Sequence, residues 1–154
     1  LRCRLVGGFS FPSAAASPGD RLVDRGAEGP DERRARSGTR SRARGLAAEQ
    51  AACQALLSDG WTILAQRLRT PAGELDIIAE KAGLLAILEV KARPSLAEAA
   101  YAVSERQRRR LLQAASAVLA AHPDWGRAGI RFDVILVDAA LRVRRIIDAF
   151  RLEE

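Results

Sequence analysis

The chain is poor in the residues that build most metal and redox centres. It has one histidine, His122, and two cysteines, Cys3 and Cys53. One imidazole excludes any centre that needs two, and two thiols cannot make a disulfide framework or a four-thiolate zinc site. Such usage points to a reducing compartment or to indifference to redox. Methionine is absent and aromatics make up 5% of the chain. Base stacking would have to rest on Trp61, Tyr101 or Trp125, for each of which core or rim packing is the commoner role. No run of about 18 apolar residues occurs, so no membrane-spanning helix is expected. An export signal is disfavoured too. Arg2 and Arg4 precede Ala14-Ala15-Ala16, but the apolar stretch between is short and broken by Gly7 and Gly8. A cytoplasmic location is the expectation.

What the chain has in quantity is arginine, unevenly placed. Residues 1–44 hold ten arginines and five acids, so they carry +5 of the net +6. The stretch from Asp31 to Arg44 shows no lasting apolar period and reads as a solvated, mobile arm. Residues 1–44 are therefore expected to be a disordered basic arm or a spurious extension. Contact with nucleic-acid phosphates is the functional reading of that arm, and composition alone gives it little weight. Residues 45–154 are nearly neutral, and with 48% apolar residues over the chain they suffice for one packed domain.

Periodicity gives that domain an order. Leu46 to Ser58 is an Ala-rich helix stopped by Asp59-Gly60. Trp61–Arg69, Glu74–Glu80 and Leu84–Ala92 read as strands, separated by Pro71-Ala72-Gly73 and Lys81-Ala82-Gly83. Ser104 followed by Gln107 matches a capping box and opens a helix that runs to Ala121, before His122-Pro123. Ile130–Val137 is a near-continuous apolar strand, which suggests burial on both faces. Leu141–Phe150 is the last strand. The fold class is α/β, a central mixed sheet flanked by helices in the order α-β-β-β-α-β-β.

The chemistry concentrates in Gly73-Glu74-Leu75-Asp76-Ile77-Ile78 and Ile87-Leu88-Glu89-Val90-Lys91. Alternate strand residues share a face, so Glu74, Asp76 and Ile78 are expected on one side, as are Ile87, Glu89 and Lys91. A two-residue turn at Ala82-Gly83 pairs positions summing to 165, which sets Asp76 against Glu89 and Glu74 against Lys91. A one-residue slip would break this. Two facing carboxylates among apolar neighbours are unfavourable, and a divalent cation reverses that cost. The blander reading sends each acid to solvent with an arginine partner. Lys91 stands out because only two of 25 cations are lysines, and Lys81 lies in a turn. A compact ammonium beside a cation site can orient water or offset phosphate charge. Glu49 falls among Leu46, Cys53, Leu56 and Leu57 on the helical wheel, where it must find a partner or reach water.

On Glu49, the Gly73–Ile78 run and Glu89-Val90-Lys91-Ala92-Arg93, the chain resembles the YraN family, largely uncharacterised bacterial proteins. Val103, Gln107, Arg110-Leu111, Arg131-Phe132-Asp133-Val134 and Ala149-Phe150 extend the resemblance over about residues 45–150. It implies a restriction-endonuclease-like fold, related to that of Holliday junction resolvases, in which an acid on one strand is joined by acid-x-Lys on the next. Carried over, Asp76 and Glu89 would be metal ligands, Lys91 the catalytic lysine and Glu49 the helical acid, with Mg²⁺ or Mn²⁺ as cofactor. Two departures stand out: Arg106 takes a position where many relatives have lysine, and the loop from Pro94 to Tyr101 lacks the expected Gly and Pro.

The resemblance implies a Mg²⁺-dependent nuclease acting on DNA, branched or single-stranded DNA included. The rivals are a non-catalytic nucleic-acid-binding protein of the same fold and a protein whose acids form internal salt bridges. Arg106, Arg109, Arg110 and Gln113 share one side of the second helix and would contact phosphates. An ordinary solvated face accounts for them equally well. Asp133, on the buried strand, is expected to anchor an arginine. A homodimer would suit two-strand cutting, and the oligomeric state stays open.

Overall fold

Helix α1 spans Pro30–Ser58, so it begins well before Leu46. The computed structural model describes residues 30–96 and 103–151. The expectations for Cys3, the export-signal region and Tyr101 lie outside these residues. The stretch 31–44, read from sequence as a mobile arm, is helical instead. Arginine and alanine are good helix formers, and the packed half of α1 supplies the costly nucleus. An apolar period marks where a helix packs, and α1 packs only through its second half. There Ala48, Ala52, Cys53 and Leu56 are buried against the sheet. Leu46 and Leu57, expected on that face, are exposed at 43% and 56%.

The remaining elements follow the expected order: β1 Thr62–Thr70, β2 Gly73–Lys81, β3 Leu84–Ala92, α2 Glu105–Ala121, β4 Gly129–Val137 and β5 Val143–Phe150. They form one mixed sheet in the order β1-β2-β3-β4-β5. Only β3 and β4 run parallel, with α2 in the connection between them. The β2–β3 turn has positive φ at both Ala82 (51°) and Gly83 (76°), as a type I′ hairpin requires. The last strand starts two residues later than expected. Leu141 sits at φ 59° in a turn built on Asp138, whose Oδ1 accepts from Ala140 N and Arg142 N at 2.9 Å each.

The sheet has an apolar layer on each side. Toward α1 lie Ile77, Ala79, Ala86, Leu88, Ile135 and Val137. Toward α2 lie Leu75, Ile78, Leu85, Ile87, Phe132 and Phe150, covered by Leu111, Ala114, Ala115 and Val118. Strand β4 is buried along most of its length, as its composition suggested. Helix α2 begins with the expected capping box: Ser104 Oγ accepts from Gln107 N, and the Gln107 side chain accepts from Ser104 N. Ser104→Ala should therefore cost about 1 kcal/mol, read as a lower urea midpoint at unchanged slope. Among the described residues, no helix is long and apolar enough to cross a membrane.

Candidate functional site

Strands β2 and β3 keep the expected register, Ile77 against Leu88 and Ile78 against Ile87, and the ladder ends at Ile77. Asp76 and Glu89 stand one step beyond it. The Val90 N–H donates to Asp76 Oδ2 at 2.8 Å. On the other side, β1 pairs Gln66 with Ile77 and Leu68 with Leu75, which leaves Arg67 opposite Asp76. Arg67 has φ 49°, left-handed backbone inside a strand. The chain turns over at this point, because Leu75 packs toward α2 while Ile77 packs toward α1.

That turn corrects one expectation. Strict alternation put Glu74 on the face of Asp76 and opposite Lys91. Glu74 instead pairs with Arg67 at 3.2 Å and with Arg69 at 3.6 Å. The physical reason is the twist at Arg67 and Asp76, which breaks the two-residue period.

Glu89 and Lys91, two apart on a regular strand, do share a face. Lys91 Nζ lies 2.7 Å from Glu89 Oε1, with side chains only 15% and 6% exposed. The other oxygen, Oε2, faces Arg110 NH2 at 3.4 Å, and Arg110 NH1 donates to the Glu74 carbonyl at 2.7 Å. The arginine reaches this position by passing over Gly73. A Cβ there would lie 2.9 Å from Arg110 NH1, and Gly73 also holds φ 135°. Arg110, expected among the phosphate contacts, is thus wired into the acid cluster.

Asp76 carries the electrostatic signature of the site. Burial raises its pKa from the ordinary 3.8 to about 6, and the charges of Glu89 and then Glu49 push the same way. The Val90 hydrogen bond and Lys91 oppose the rise. Glu49 reaches this corner from α1, half-buried, with Arg67 Nε 3.9 Å from its Oε2. Burial, with the Glu49 charge second, also pushes the Cys53 thiol up.

Among the described residues no three acids, histidines or cysteines converge as a ready-made cage for a metal. Asp76 and Glu89 nevertheless offer an all-oxygen donor pair, the kind hard divalent cations take. Burial first, and the charge of Glu89 second, raise the Asp76 pKa, and a bound cation would favour its charged form. Glu49 stands beside the pair as a third acid from another element. The residues fit a Mg²⁺ or Mn²⁺ ion on these grounds.

Arg106, Arg109 and Gln113 are exposed on α2 and line a shallow groove with Arg110, Glu105 and Ala72. Arg109 is paired with Glu105 at 3.2 Å. Trp61 is buried and Trp125 stacks on His122 at 3.9 Å, so packing claims both indoles. Asp133 anchors two arginines, Arg131 and Arg145. Sequence reasoning missed Arg67 and the role of Gly73. The Pro71-Ala72 turn makes positions summing to 143 opposite, which already sets Arg67 against Asp76. Nothing local in the sequence announces that Arg110 must cross residue 73.

Comparison with known proteins places this geometry in a family context. Residues 48–137 match the model of the uncharacterised protein family UPF0102, the YraN family of the resemblance above. The chain is similar to a UPF0102 protein of Granulibacter bethesdensis, 62% identical over 80% of this chain and 78% of that one. It is also similar to a UPF0102 protein of a Bradyrhizobium species, 47% identical over 85% of this chain and 94% of that one. For the Rhodopseudomonas palustris protein the figures are 49% identity over 69% and 82%.

Proposed function

This chain belongs to the UPF0102 family, and on its cluster of two acids and a lysine we propose that it is a divalent-cation-dependent nuclease hydrolysing phosphodiester bonds in DNA. The observation that carries the reading is Asp76, pushed up to about 6 by burial and Glu89, beside a Lys91–Glu89 contact of 2.7 Å. A structural salt bridge needs no second acid held at such a cost, whereas a cation-binding pair does.

Asp76 and Glu89 would hold Mg²⁺ or Mn²⁺, with Glu49 at the flank. The ion, when bound, supplies Lewis acidity to a phosphoryl oxygen and acidity to water. The chain's own residues do the rest. Lys91 presents its ammonium on the face of Glu89, where it orients the attacking water and offsets charge that builds on the phosphate. Arg110 fixes the second oxygen of Glu89. Val90 N–H fixes one oxygen of Asp76 and leaves the other to the ion. Water would attack phosphorus in line with the leaving oxygen and give up a proton to solvent as its P–O bond forms, the leaving oxygen would take a proton from solvent as the other P–O bond breaks, and no covalent intermediate with the protein is required. Exposed Arg106, Arg109 and Gln113 would contact phosphates along α2.

One observation favours a second reading, a nucleic-acid-binding protein without turnover: both Glu89 oxygens already face cations, Lys91 and Arg110. The test is cleavage of duplex, single-stranded and branched DNA in Mg²⁺ and in Mn²⁺. Cleavage is expected with either ion, and Lys91→Ala and Asp76→Asn should each slow it at least ~100-fold. DNA binding without cleavage under every condition would favour the second reading.

A further inference from the structure

The described side chains of α1 from Asp31 to Arg44 are all exposed, and after Asp31 and Glu32 every charge as far as Arg44 is positive. Arg33, Arg34, Arg36, Arg40, Arg42 and Arg44 are all exposed, and no acid occurs between Glu32 and Glu49. Four of these, Arg33, Arg36, Arg40 and Arg44, are spaced by three, four and four residues and fall within about 80° of the helical wheel. With Ser37 and Ser41 they line one shallow groove. Neighbours at such spacing repel one another, and Gly38 lies in their midst. Positive charges aligned along an exposed helical stretch favour an anion of matching length.

The stripe also points somewhere. Arg44 shares a second groove with Ala92, Arg93 and Pro94 at the end of β3. That end lies directly after Lys91, so the arginines run from the tip of α1 toward the acid cluster.

We propose that this stripe is a sequence-independent docking surface for the phosphate backbone of duplex DNA. It deepens the nuclease reading and rests on its choice of substrate. From Arg33 to Arg44 the helix rises about 16 Å, which spans about five phosphates of one strand at about 3.4 Å each along the axis. The segment from Arg33 to Gly45 contains no aromatic residue on which an unpaired base could stack. It contains no Asn or Gln to read base edges either. Its arginines and hydroxyls suit phosphate oxygens, which a duplex presents outward.

The test reads binding rather than cleavage. The full chain is titrated with a labelled mixed-sequence duplex in EDTA over a range of salt. One variant carries Gln at Arg33, Arg36, Arg40 and Arg44, and a charge-matched control carries Gln at Arg127, Arg142, Arg144 and Arg151. Circular dichroism checks that both are folded. The stripe variant should bind at least tenfold more weakly, with its log K against log salt slope shallower by about three to four, and the control should change far less. Equal losses in the two variants, or no loss in the first, would overturn the assignment. So would a stripe-dependent preference for phosphatidylserine vesicles over the duplex. A protein that binds DNA through the stripe but never cuts it would sink the nuclease reading and leave this one standing.

Discussion

Asp133→Ala should destabilise the protein by about 2–4 kcal/mol, because it leaves two half-buried arginines without their carboxylate. Asp133 is 1% exposed on β4. Its Oδ2 accepts from Arg145 Nε at 2.8 Å and Nη2 at 2.6 Å, and its Oδ1 accepts from Asp148 N at 2.9 Å. Arg131 Nε lies 2.9 Å from Oδ1 as an ion contact outside hydrogen-bond alignment, while its Nη2 donates to Oδ2 at 3.1 Å. The Arg145 guanidinium then stacks 4.3 Å from the centre of the Trp61 ring. One carboxylate therefore ties β4 to β5 and to the residue that joins α1 to β1. Asp133→Asn keeps an acceptor for Asp148 N but loses the charge, so its cost should fall between wild type and alanine. Urea unfolding at neutral pH measures both. A loss under 1 kcal/mol for the alanine variant would mean that the arginines reach solvent without it.

The second large effect should appear at Asp76 and depend on pH. Its folded pKa of about 6 lies above the ordinary 3.8, so the folded state holds this proton more tightly than the unfolded chain does. Protonation favours folding, and the group costs stability as pH rises from about 4 to about 6. At pH 7 the penalty reaches up to about 3 kcal/mol. Asp76→Asn should remove that slope and leave the protein more stable at pH 7, while slowing the proposed cleavage. Mg²⁺ should stabilise the native protein at pH 7 and leave the variant unmoved, because the ion repays a repulsion the variant no longer has. Urea midpoints at pH 5 and pH 7, with and without Mg²⁺, separate these effects. A variant that kept the native pH slope would place the titrating group elsewhere. Asp138 and Asp148 cannot imitate the result. Their pKa values are lowered, by the Arg142 backbone N–H in one case and the Arg151 side chain in the other, so their contribution is lost only as pH falls below the ordinary range.

Stability and chemistry thus pull in opposite directions at the corner where β2 leaves β3. A core tolerates a carboxylate well when arginines surround it, as at Asp133. Asp76 has one backbone N–H and, one step away, another acid. That contrast between buried Asp133 and half-buried Asp76 separates the structural site from the candidate functional one.

Local signals carried a good deal of this. The strand at Leu84–Ala92, the capped helix from Ser104 and the two-residue turn at Ala82-Gly83 are set by short-range chemistry, and the structure follows them. The turn length alone fixed the β2–β3 register. Patterns failed where neighbours far along the chain decide. Helix α1 runs back to Pro30 because a helix propagates from its packed half through residues that merely tolerate it. Leu46 and Leu57 look like core on a wheel, but the sheet takes the alanines and Leu56, since small residues let the helix lie close.

From the sequence by itself come the order of elements, the register that brings Asp76 to Glu89, and the placing of Glu89 and Lys91 on one face, because each depends on periods of two residues or on one turn. Only the tertiary structure decided that β2 turns over at Asp76, that Glu74 goes to Arg67 and Arg69, and that Arg110 crosses Gly73 to reach Glu89. Those outcomes depend on which surfaces α1 and α2 bury and on the space left between them, and no periodicity along a single chain encodes that space.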